Sequence, residues 1–137
     1  MDPLDLRDHL LAYPGVSEEE PFGPGTVVYK VSGKMFALTS YERLPLSINL
    51  KCDPEKAVEL RGDYAAIEAG YHMNKKHWNT LTLDGSIPKQ LTLELIRHSY
   101  DLVIASLPRK KREELQNLTP QAMSLRKKAR DEFLNEI

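Results

Sequence analysis

The sequence is short of the residues that carry most recognisable chemistry. In 137 residues it has one cysteine, Cys52, one tryptophan, Trp78, and four histidines. A lone cysteine excludes an internal disulfide and any cysteine-rich zinc site. No apolar run approaches the ~20 residues needed to cross a bilayer. The opening Asp2-Pro3-Leu4-Asp5 also lacks the basic start of a signal peptide, so the expectation is a cytoplasmic chain with no membrane contact. Net charge is small too, at −1, and no general positive field marks a nucleic-acid protein. That balance is uneven. From Arg109 to the end, eight basic residues face five acidic ones, which leaves the first 108 residues at −4. A basic tail on an acidic body suits an anionic partner or simply a solvated helix.

What is present reads as one globular domain, with 41% hydrophobic and 28% charged residues. Asp2 followed by Pro3 caps a helix carrying Leu4, Leu6, Leu10 and Leu11, which Pro14-Gly15 ends. Two prolines and two glycines in Pro21-Phe22-Gly23-Pro24-Gly25 forbid regular structure there. Val27 to Val31 and Lys34 to Thr39 form a hairpin around Ser32-Gly33. In that register Val27, Tyr29 and Val31 share the helix-facing side with Lys34, Phe36 and Leu38. Val28, Lys30, Met35 and Ala37 then take the other side.

A further strand turns Leu46, Ile48 and Leu50 inward and Ser47, Asn49 and Lys51 outward. Asp53-Pro54 starts a short helix to about Leu60. A strand from about His77 to Leu83 turns Asn79, Leu81 and Leu83 inward, leaving Trp78, Thr80 and Thr82 outside. Pro88 opens the longest helix, with the apolar stripe Leu93, Ile96, Tyr100, Val103 and Leu107. After Pro108, a tail from Arg109 to Leu118 precedes a last helix with Ala122, Leu125, Ala129 and Phe133 on one side. About four strands in hairpin order with two or three helices predict an α+β fold, two-layered, its antiparallel sheet covered mainly on one face.

Catalytic patterns are absent. There is no G-x-S-x-G elbow, and Cys52 has no histidine near it in sequence, so a structural thiol is the plain reading. His72 and His77 are five apart, and no carboxylate lies between Glu68 and Asp84 to complete a metal set. The prolines beside Gly23 and Gly25 remove the N–H donors that a phosphate loop needs. No cofactor, metal or catalytic residue is expected.

One segment stands out, Gly70 to Asn79. His72, Asn74, Lys75, Lys76, His77 and Trp78 combine cations, amides and aromatic rings without an acidic residue. Cations and amides bind phosphate and base edges, and rings stack. Lys30 and Lys51 belong to the same outer face as Trp78. An equally plain account has Trp78 in the core and Lys75-Lys76 in a solvated turn.

Several separated motifs now converge. Tyr13-Pro14-Gly15, Pro21-Phe22-Gly23-Pro24, Tyr29-Lys30-Val31, Gly33-Lys34-Met35-Phe36-Ala37, Asn49-Leu50-Lys51, the Gly70 to Asn79 segment and Ser99-Tyr100-Asp101-Leu102-Val103 occur in the order of the MmcQ/YjbR family. The chain resembles that family from its first helix to about Pro108. The resemblance implies an antiparallel sheet packed against helices, similar to the type III secretion chaperone-like and double-wing descriptions. It also implies DNA binding in a role not yet defined. Carried over, the family-typical positions are Lys30, Lys34, Lys51, His72, Asn74, Lys75, Lys76, His77 and Trp78. Two departures are visible: Ala69 stands where the family often has proline, and the chain runs roughly thirty residues further. Residues 1–108 are thus expected to form the family-like domain and 109–137 a helical extension of it.

Three functions follow as expectations. The first is a nucleic-acid module, with DNA as partner, acting through those nine positions. The second is a pocket for a small anion, or an enzyme built on His72 and His77. The third is a protein-interaction module in which the C-terminal helices or an outer sheet face bind a partner, with a homo-oligomer through the C-terminal helices as one form of it.

Overall fold

Two aspartate–proline pairs set two helix starts. In the computed structural model, which describes residues 1–70 and 73–117, Asp2 caps α1 (Pro3–Leu11) by accepting the Asp5 N–H at 2.8 Å. Pro3 takes a position where a missing N–H costs nothing. Asp53 repeats the device for α2 (Pro54–Asp63), which runs three residues past Leu60. Pro88 and Pro108 precede α3 (Lys89–Ala105) and α4 (Arg109–Gln116).

The strands are β1 (Val16–Glu19), β2 (Thr26–Val31), β3 (Lys34–Ser40), β4 (Ser47–Lys51), β5 (Ile67–Ala69) and β6 (Trp78–Thr82). They form one antiparallel sheet in the order β1-β2-β3-β4-β6-β5. The fold is therefore α+β, as the pattern predicts. β1 and β5 are additions, both at sheet edges. β1 reads Val-Ser-Glu-Glu and is mostly exposed, so it has no apolar alternation to reveal it.

Ser32 and Gly33 both hold positive φ, 49° and 77°, as a tight hairpin turn demands. Beyond the turn the expected register fails. Lys30 pairs with Met35, but Tyr29 pairs with Ala37, because a bulge between Tyr29 and Lys30 leaves Phe36 as an extra residue. Phe36 and Ala37 are consequently both fully buried on the helix side. Leu38 moves to the opposite face, paired with Val28 and Asn49. The predicted roles of Ala37 and Leu38 are thus exchanged.

The helices cover one face. Leu6 and Leu10 of α1, Ala57 and Leu60 of α2, and Leu95, Ile96 and Val103 of α3 share a single core cluster with Tyr29, Phe36, Ile48 and Leu81. Tyr100 ties α3 to the turn after α1, stacking on Tyr13 at 4.8 Å and donating its hydroxyl to the Pro14 carbonyl at 2.7 Å. Leu115 of α4 lies close to Gly15, where an added Cβ would run into its Cδ2. The stripe Ala122, Leu125, Ala129 and Phe133 lies outside the described residues. Among those described, no helix is long and apolar enough to cross a membrane.

Candidate ligand-binding cleft

Antiparallel register brings distant residues together on the face turned from the helices. Lys51 of β4 stands directly opposite Trp78 of β6. Lys30 of β2 shares that face two strands away, about 10 Å at ~4.8 Å per strand. Its charge is already engaged, since its Nζ pairs with Glu19 Oε2 of β1 at 2.9 Å. Lys34 sits elsewhere. It reaches toward the helix layer and donates to Ser106 Oγ at 3.2 Å.

The loop between β5 and β6 supplies the other groups. Gly70 N–H donates to the Trp78 carbonyl at 2.8 Å, and a Cβ at Gly70 would lie 2.7 Å from Trp78 Cβ. Close backbone approach therefore requires glycine here. Asn74 Oδ1 accepts the Lys76 N–H at 3.0 Å and the Asn74 carbonyl accepts the His77 N–H at 3.2 Å. This turn leaves Lys75 and Lys76 exposed. His72 lies outside the described residues. Trp78 is only 9% exposed, so its ring is no free stacking platform. It is nevertheless separate from the main core cluster, consistent with its place on the opposite face.

A cavity of about 440 Å³ opens where these pieces meet. Lys51, Asn74, His77 and Trp78 line it, and Cys52, Asp53, Pro54 and Leu102 complete its wall. The Asp53 carboxylate is turned to its own helix, accepting the Lys56 N–H at 3.4 Å. Burial pushes the Cys52 thiol up, which leaves it protonated rather than activated as a nucleophile.

Three successive backbone amides fix the wall. Lys51 N–H donates to Ser99 Oγ at 2.9 Å, Cys52 N–H to the His77 carbonyl at 2.7 Å, and Asp53 N–H to His98 Nε2 at 3.2 Å. Ser99 is fully buried and its hydroxyl in turn donates a hydrogen bond to the Phe36 carbonyl. The neighbouring α3 residues His98 and Ser99 thus clamp the strand–helix junction from below. Burial first, and the charge of Lys56 second, hold His98 below the ordinary histidine range.

The family model described as YjbR matches residues 11–102. The chain belongs to the YjbR family. Among its relatives, the Escherichia coli O157:H7 protein YbdF, described as uncharacterised, is 42% identical over 66% of this chain and 74% of its own length. The E. coli K12 protein YjbR, also described as uncharacterised, is 31% identical over 83% of this chain and 97% of its own. In structure, this YjbR-family chain is similar to the Deinococcus radiodurans protein DR2400, with a TM-score of 0.79 and 42% identity. That likeness covers 83% of this chain and 87% of the other. A Pseudomonas syringae protein follows at 0.65 and 28%, covering 74% of this chain and 98% of its own.

Of the nine positions singled out from the sequence, Lys51, Asn74, His77 and Trp78 of this YjbR-family chain line one cavity, with Lys75 and Lys76 on the same loop. Lys30 is on the same face but ion-paired, and Lys34 is apart. Sequence reading placed Ser99 in a family motif but gave neither Ser99 nor His98 a part in this cleft. Ser99 falls on the buried stripe of α3 between Ile96 and Val103, and a polar residue on such a stripe was the available signal.

A second cavity of about 390 Å³ lies beside β1, lined by Arg7, Glu18, Glu19, Glu20, Val27 and Tyr41. Arg7 grips Glu18 with two nitrogens, and the Tyr29 and Tyr41 hydroxyls share a hydrogen bond of 2.7 Å. Its acidic lining is opposite in character to the first. Among the described residues, no three His, Cys, Asp or Glu side chains gather as metal ligands.

Proposed function

We propose that this YjbR-family chain binds a phosphate-bearing small anion in the cleft at Lys51 and Trp78. One observation carries the reading: Lys51, Asn74, His77 and Trp78, drawn from β4 and the β5–β6 loop and strand, line a single concavity of ligand size. A cation, an amide and an imidazole supply donors for an anion, and the wall of Trp78, Pro54 and Leu102 supplies apolar contact.

Trp78 is the only tryptophan, so its emission reports on the cleft alone. Inorganic phosphate and a mononucleotide are expected to change that emission saturably. Replacement of Lys51 by methionine should weaken binding about tenfold or more, the worth of one charged hydrogen bond. Emission that stays constant to about 10 mM of either probe rejects the reading.

A nucleic-acid strand, DNA as the family resemblance implies, is the second reading. It is favoured by Lys75 and Lys76, which stand exposed beside the cleft and extend its positive charge. Each neutralised phosphate should add about 0.9 to the slope of log affinity against log salt. The double substitution Lys75→Ala/Lys76→Ala then separates the readings. Loss of duplex binding with mononucleotide binding intact supports the strand; equal losses in both return the ligand to the cleft.

A further inference from the structure

The amide clamp under the cleft contains one member whose hydrogen bond depends on its protonation. Asp53 N–H can only donate, so His98 Nε2 must accept, and it does so at 3.2 Å. A neutral imidazole has one accepting nitrogen; a protonated one has none. Adding a proton therefore sets two donors against each other and the bond is lost.

We propose that His98 is a proton-operated positioning residue, which holds the β4–α2 junction when neutral and releases it when charged, so that the cleft loses affinity for its anion. This deepens the anion-binding reading and rests on it for the affinity effect. The charged groups around the ring define the switch. Asp53 and Lys56 face it from the junction and α2, and Asp101 from the next turn of α3. Lys56 and burial oppose the proton, while the two carboxylates favour it. Asp101, paired with Arg97 at 3.7 Å on an exposed helix face, offers the charged ring a partner away from Asp53.

The junction is a short lever. Lys51, Cys52, Asp53 and Pro54 are consecutive and form one side of the cavity. Ser99 keeps hold of the Lys51 amide at any pH, because its hydroxyl does not titrate. Release at Asp53 thus swings the Pro54 end of the wall, three residues from the Lys51 anchor and two from Cys52, whose amide stays on the His77 carbonyl. His77 lines the same cavity, so its effect on the anion must be separated from that of His98 by substitution.

His98→Gln provides the separation, since its side-chain oxygen can accept the Asp53 N–H without titrating. The full chain is followed by amide and imidazole NMR between about pH 8 and about pH 5, with sulfate as an anion of constant charge. The Asp53 amide is expected to move with the same midpoint as the His98 ring, and to stay still in His98→Gln. The ratio of wild-type to His98→Gln sulfate affinity, read from Trp78 emission, should fall about fivefold over that range, the worth of one hydrogen bond. An Asp53 amide that ignores the His98 titration, or a ratio that is flat with pH, overturns the switch. Sulfate that binds at neither pH removes the affinity effect together with the anion reading. The co-titration would still establish the junction release by itself.

Discussion

Lys51 and Trp78 are cross-strand neighbours on β4 and β6, and the face they share is the one the described helices leave uncovered. The partnership depends on how β6 begins, and its start is fixed by Gly70. Replacing Gly70 with alanine would force a Cβ to within 2.7 Å of Trp78 Cβ and 3.0 Å of the Trp78 carbonyl. Backbone and a Cβ cannot yield as a flexible chain end does. The expected loss is about 1–3 kcal/mol of stability, with a shift in Trp78 emission, both read in one urea titration. Wild-type stability in this variant would mean that the loop approaches β6 differently.

Ser99→Ala tests the clamp. Ser99 is fully buried, accepts one backbone proton and donates another, so its loss orphans the Lys51 N–H and the Phe36 carbonyl together. Destabilisation of about 1–3 kcal/mol is expected, with faster hydrogen exchange confined first to the Lys51 amide. Uniformly faster exchange would make Ser99 an ordinary core residue.

Much of this arrangement was legible in the sequence, and the gaps have a physical pattern. Period-two alternation put Lys51 and Trp78 on one face correctly, because each strand carries a clear apolar side. The Asp-Pro caps and the Ser32-Gly33 turn announced themselves through local backbone chemistry. The bulge had no such signal: Phe36 and Ala37 are both apolar, and either register buries one of them. β1 was invisible because a solvated edge needs no alternation, and missing β1 hid the ion pair that engages Lys30. Sequence counted Lys30 as a free cation; its partner lies eleven residues earlier on an unforeseen strand.

That ion pair suggests a gain rather than a loss. Glu19→Gln should return the Lys30 charge to the outer face at modest cost, within about 1 kcal/mol, because the pair is partly exposed. If a nucleic-acid strand runs along that face, the variant should bind duplex DNA more tightly, with a salt slope steeper by up to about 0.9. Unchanged slope and affinity would confine any contact to the cleft and the Lys75-Lys76 turn.

Tyr100 links the fold to alkaline stability. Burial first, and the nearby Asp101 second, push its phenol up to about 12 from an ordinary 10.0. Below pH 10.0 folded and unfolded chains both keep the proton, and its contribution is constant. Between there and about 12 the unfolded chain loses the proton first. Unfolding is then favoured increasingly with pH, for a total of about 3 kcal/mol once both states are ionised. Tyr29, wholly buried and hydrogen-bonded to Tyr41, is raised further and acts with the same sign. Tyr100→Phe removes the hydroxyl that donates to Pro14, so at pH 8 it should be less stable than wild type by about 1 kcal/mol. It also removes the titration, so its stability should fall less steeply above pH 10.0. Urea midpoints of the two proteins should therefore converge and then cross as pH rises. Parallel curves would show that Tyr100 gives up its proton as readily folded as unfolded, and that its tie to Pro14 is not the buried contact described.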